Sequence, residues 1–88
     1  MGLRFEWDPA KNAANQRKHG LSFAEVLSLF APGSDALELY DEERFISIGP
    51  ARRGSVVVVW TERAQDVIRI ISARLATQRE AALYRGSR

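Results

Sequence analysis

No cysteine occurs in the 88 residues. A disulfide framework and a thiolate metal site are both excluded, and the absence fits a reducing cytosol, the compartment expected for this chain. Histidine occurs once, at His19. Gly-rich phosphate loops, nucleophile motifs and clusters of metal-ligand residues are missing, so no cofactor and no metal are expected. No apolar run approaches the roughly 20 residues that span a bilayer, and the opening residues lack the basic-then-apolar pattern of a signal peptide. A chain of this length, 45% hydrophobic, supplies one core and not two. A domain so small buries only about 60% of the surface its unfolded chain exposes. One domain over residues 1–88 is expected, held by packing.

Net charge is also small, since 13 Lys and Arg against 11 Asp and Glu leave +2. Its distribution is uneven. From Arg63 onward the basic residues are Arg63, Arg69, Arg74, Arg79, Arg85 and Arg88, opposed by Asp66 and Glu80. Asp35, Glu38, Asp41, Glu42 and Glu43 crowd the middle. This segregation predicts a basic surface able to hold phosphates and an acidic one that repels them.

What the chain does contain is strong local punctuation. Leu3 to Trp7 reads as a short strand, and Asp8 followed by Pro9 starts a helix that runs to about His19, where Gly20 supplies a left-handed cap. Ser22 and Glu25 form a capping box, with Leu21 placed to staple onto Val26. A second helix is expected there, with Phe23, Val26, Leu27 and Phe30 as its apolar stripe, stopped by Pro32 and Gly33. Strands are expected at Ala36 to Tyr40, Arg44 to Gly49, Ser55 to Glu62 and Val67 to Arg74. Val56 to Trp60 is apolar on both faces and predicts a central strand covered on each side. Thr77 and Glu80 form another capping box, opening a last helix with Ala81, Leu83 and Tyr84. The order strand, two helices, four strands, helix predicts an α+β fold with helices over one face of a mostly antiparallel sheet.

Three separated motifs occur in this order: F-E-W-D-x-x-K-x-x-x-N-x-x-K-H-G from Phe5, E-x-R-F-x-x-I-G in the middle, and W-T-E-R with R-I-I-S-A-R-x-A-T-x-x-E-x-x-x-Y behind. On these residues the chain resembles the BrnT toxins of bacterial type II toxin-antitoxin systems. The resemblance implies a RelE-like fold and an endoribonuclease that cleaves RNA without a cofactor and so blocks translation. It also implies a BrnA-type ribbon-helix-helix antitoxin as partner, in a 2:2 complex that meets operator DNA only through the antitoxin.

Cleavage of RNA by its own 2'-hydroxyl needs a base, an acid for the leaving oxygen, and cations around phosphorus. Arg74 closes the last strand just before a helix N-terminus, where a guanidinium can fork onto a phosphate. Arg69 lies on the same strand, five residues away, and strict alternation puts the two on opposite faces unless a bulge intervenes. Arg69 reads equally as an ion pair at the sheet rim, with Glu62 as its partner. His19 is the candidate proton carrier, or a residue that caps the last carbonyls of its helix. Glu62 and Arg63 read as a base with a phosphate clamp, or as a solvated hairpin corner. Lys11, Asn15 and Lys18 share one helix face. Lys11 and Lys18 are candidate RNA-backbone contacts, and Lys11 and Asn15 equally anchor the helix or meet a partner. Arg79 is a further candidate phosphate contact, and Tyr84 stacks on a base, donates a proton or simply packs. Trp7 and Trp60 read as core. The competing functions are a non-catalytic nucleic-acid-binding module and an inactive toxin scaffold that modulates its antitoxin's repression.

Overall fold

The computed structural model of the chain describes residues 2–87, and Arg88, one of the basic residues counted above, lies outside them. Strand β1 (Arg4–Glu6) leads into helix α1 (Pro9–His19) and a 3-10 helix (Ala24–Phe30). Strands β2 (Leu37–Asp41), β3 (Arg44–Ala51), β4 (Gly54–Ala64) and β5 (Val67–Leu75) follow, and helix α2 (Gln78–Gly86) ends the fold. The five strands form one sheet in the order β1-β5-β4-β3-β2. Among the described residues only β1 with β5 is parallel. The α+β class and the order of elements are those the sequence predicts.

The local signals act as expected at α1. Asp8 accepts the Ala10 N–H at 2.8 Å, Pro9 takes the first helical position, and Gly20 caps the end at φ 74°. The Ser22–Glu25 box also forms: Glu25 accepts the Ser22 N–H at 2.9 Å, and the Ser22 hydroxyl accepts the Glu25 N–H at 3.3 Å. What it opens is a 3-10 helix and not an α-helix. Phe23, Val26 and Leu29 are the buried residues there, a spacing of three that three residues per turn places in line. Leu27 and Phe30, expected on the stripe, are half-buried. Asn12 of α1 accepts the Phe23 N–H at 2.8 Å, tying this segment to the preceding helix.

Two-residue links join β2 to β3 (Glu42, Glu43), β3 to β4 (Arg52, Arg53) and β4 to β5 (Gln65, Asp66). Strand β4 lies at the centre of the sheet. On its first face Val56, Val58 and Trp60 join Leu21, Phe23, Val26, Leu29, Ile68, Ile70 and Ala73 in the main core. The Trp60 indole N–H donates to the buried Ser47 hydroxyl at 2.9 Å, and Trp7 meets Phe23 edge-on with centroids 5.9 Å apart. Trp60 is a core residue, as read, and Trp7 is half-buried against the core. Val57 faces the other way and packs with Ile48 and Tyr84 of α2. The helices therefore cover both faces and not one. Alternation along β4 creates a second apolar patch that only α2 is placed to bury.

Candidate active site

The sheet's second face beyond α2 is uncovered, and its arginines owe their arrangement to an irregularity in β5. Val59 pairs with Ser72, the next residue Trp60 pairs with Ile70, and Ile71 is left without a partner. Such a bulge inverts the alternation beyond it. Arg69 is opposite Thr61 and Arg74 opposite Val57. Thr61 and Val57 are four apart on a regular strand and share a face, so Arg69 and Arg74 share it as well, with Ser72 between them.

The C-terminal end of α1 is brought to this strand by Asn15. Strand β1 covers only Val67 to Arg69, leaving the outer edge of β5 open farther on. The buried Asn15 amide fills the gap: its nitrogen donates to the Ala73 carbonyl at 2.7 Å and to the Leu21 carbonyl at 2.9 Å, and its oxygen accepts the Ala73 N–H at 3.1 Å. One side chain thus does for Ala73 what a neighbouring strand would do. The result is a shallow pocket of about 210 Å³ where Lys11, Lys18 and His19 meet Ile71 and Ser72. From the β3–β4 link, Arg53 donates to the Gly20 carbonyl at 2.6 Å and pairs with Glu25 at 3.1 Å, bracing the same helix end.

Arg74 is held by a fork. Its two terminal nitrogens donate to the two carboxylate oxygens of Glu80, each at 2.7 Å, and one also reaches the Leu75 carbonyl at 3.3 Å. Glu80 simultaneously accepts the Thr77 N–H at 2.9 Å, completing the capping box of α2. The Arg74 guanidinium, and next the Thr77 N–H, bring the Glu80 carboxyl down to about 2. The same hydrogen bonds raise the Arg74 pKa above its ordinary value. Three of five N–H donors are engaged, leaving two for a ligand. Arg69 is an ion pair at the sheet rim, as one reading had it, but its partner is Glu6 at 2.9 Å and not Glu62. Arg63 shares the same carboxylate at 3.4 Å, so two guanidiniums around one carboxylate keep a net positive charge.

Five of the sequence candidates are thereby gathered on or beside one surface: Arg69 and Arg74 on the sheet, and Lys11, Lys18 and His19 at its edge. Arg63 joins them through Glu6. Arg79 is exposed on the first turn of α2. Glu62 is not brought to this face; it lines a cleft on the opposite one with Trp60 and Phe45. Tyr84 is 5% exposed and donates to Asp35 at 2.8 Å, which leaves no ring surface for a base. Sequence reasoning overlooked Ser72 as a site residue and Glu6 and Glu80 as the carboxylates that orient the arginines. Glu80, six residues after Arg74 and already marked as a capping residue, carried a usable signal. Glu6 could be found only through the β1–β5 pairing.

No helix among the described residues is long and apolar enough to cross a membrane. No curated protein sequence matches the chain. The crystal structure of the ribonuclease toxin BrnT of Brucella abortus superposes with a TM-score of 0.74 at 26% identity, covering 86% of this chain and 99% of that one. The family model for the ribonuclease toxin BrnT of type II toxin-antitoxin systems matches residues 7–80, from Trp7 through Glu80. That span includes every cation gathered at the site, and on it the chain belongs to the BrnT family of ribonuclease toxins.

Proposed function

We propose that the protein is a metal-independent endoribonuclease that cleaves RNA and inhibits translation, acting at the arginine-lined face of the sheet and the adjoining end of α1. The observation that carries this reading is the bulge at Ile71, which sets Arg69, Ser72 and Arg74 on one face beside the pocket of Lys11, Lys18 and His19. In the proposed reaction the 2'-oxygen attacks phosphorus and the bond to the 5'-oxygen breaks, leaving a cyclic phosphate and a 5'-hydroxyl. Arg74 and Arg69 offset the charge that grows on the phosphoryl oxygens, and His19 exchanges the proton. Lys11, Lys18, Arg63 and Arg79 hold the neighbouring phosphates. Membership of a type II family implies a protein antitoxin. A BrnA-type ribbon-helix-helix protein in a 2:2 assembly is the form proposed, masking the basic face until it is removed.

One finding favours a second reading, a nucleic-acid-binding module without catalysis: both Arg69 and Arg74 are already engaged with carboxylates. The test is cleavage of a structured RNA by purified protein in EDTA, beside Arg74→Ala and His19→Ala and with antitoxin added. Cleavage is expected to survive EDTA, to stop with antitoxin and to fail in Arg74→Ala. His19→Ala is expected to retain RNA affinity and lose cleavage. Binding without cleavage by the wild-type protein would favour the second reading.

A further inference from the structure

On the first face of the sheet, remote from the arginines, a cleft of about 470 Å³ opens between the 3-10 helix and the strands. Its wall includes the half-buried rings of Phe30 and Phe45 against the buried Trp60, and Tyr40 continues the line of rings beyond the cleft. Tyr40 lies 5.3 Å from Phe45, Phe45 stacks on Trp60 at 4.5 Å and 18°, and Trp60 meets Phe30 edge-on at 5.3 Å. Glu38 on β2 and Glu62 on β4 line the same cleft. Glu6, Glu25 and Glu80 are each paired with an arginine. Glu38 and Glu62 have no ion-pair partner among the described residues.

We infer that this cleft is a receptor for an arginine or lysine side chain on a basic segment of a partner protein. Ring faces attract a cation through their quadrupole, and two unpartnered carboxylates on either side of the ring line add direct charge complementarity. An RNA strand is the wrong occupant, because Asp41, Glu42 and Glu43 at the β2–β3 link, which outnumber the Arg44 beside them, extend the same negative field. The cleft also runs into a second, apolar hollow of about 340 Å³, with Leu3, Phe30 and Ala31 common to both and Phe5, Leu27 and Pro32 beyond. The occupant is therefore a segment with a cationic residue beside an apolar one. The inference rests on the toxin reading, in which that partner is the antitoxin, and it gives the antitoxin a foothold on the face opposite the RNA.

The test is a titration of the full chain with the blocked peptide acetyl-Leu-Arg-Leu-amide and its counterpart acetyl-Leu-Glu-Leu-amide. It is followed by the indole N–H resonance of Trp60 and the backbone amides of Glu38, Phe45 and Glu62. The arginine peptide alone is expected to shift these signals saturably, and the double variant Glu38→Gln, Glu62→Gln to weaken binding about tenfold. An equal response to both peptides, or unchanged affinity in the double variant, would overturn the inference. Arg74→Ala serves as the control. Peptide binding by a wild-type protein that cuts no RNA would leave the cleft standing and remove the nuclease reading, whereas RNA cleavage without peptide binding would do the reverse.

Discussion

At the scale of single residues, the proposed site depends on two side chains that are not themselves among its candidate catalytic groups. Asn15 satisfies the Ala73 N–H and carbonyl at an otherwise open strand edge. Replacing it with the similarly sized leucine strands those groups, so Asn15→Leu is expected to lower unfolding free energy by about 1–3 kcal/mol. Urea denaturation measures this, and a variant as stable as wild type would remove the edge-filling role. Glu80 is the second. Its folded value of about 2 lies below the ordinary 4.5, so the Arg74–Glu80 pair stabilises fully above about pH 4.5. That contribution is lost as pH falls toward 2. Wild type and Glu80→Gln are expected to differ in stability at pH 7 and to converge over that acid window in thermal melts; parallel curves would show the pair to be energetically idle. The capping box and the arginine were both legible in the sequence. Their union was not, because a helix cap gives no sign that its carboxylate also forks onto the preceding strand.

At the scale of elements, the 3-10 helix separates two leucines that an α-helical reading would treat the other way round. Leu29 is 5% exposed, whereas Leu27, on the expected stripe, is only half-buried. Leu29→Ala is expected to cost about 2–5 kcal/mol, and Leu27→Ala clearly less, as measured by the same denaturation. The reverse order would argue for an α-helical segment. Gly49 gives a further check on this packing, since a Cβ there would sit 2.9 Å from the Ala36 Cβ and 3.3 Å from Leu29. Gly49→Ala should therefore destabilise by about 1–3 kcal/mol. Element order, caps, hairpin links and the central strand were readable because Gly, Pro, Asp and Ser act locally. The bulge at Ile71 was not. It arises from how β4 and β5 register against the core, where Ile70 and Ala73 are both buried with two residues between them, and nothing local distinguishes Ile71 from Ile70. That single displacement decides whether Arg69 and Arg74 can act together.

At the scale of the whole molecule, the charge segregation seen in the sequence becomes two opposed faces, one arginine-lined and one with an aromatic, carboxylate-flanked cleft. RNA affinity is expected to fall steeply as salt rises, with log affinity linear in log salt; a flat response would count against phosphate contacts. The sequence revealed that basic and acidic residues cluster apart but not which way the faces point, since Glu62 and Arg63 are adjacent yet lie in different surroundings. The pairing of β1 with β5 joins Glu6 to Arg69, and Asn15 reaches Ala73 across 58 positions. The β2 to β5 meander, by contrast, closes through links of two residues. The hairpins are local in sequence, but the pocket of Lys11, Lys18 and His19 gains its second wall only from Ile71 and Ser72, far along the chain. The proposed site therefore joins an early segment to a late one, and its surface is complete only once β5 has docked beside the end of α1.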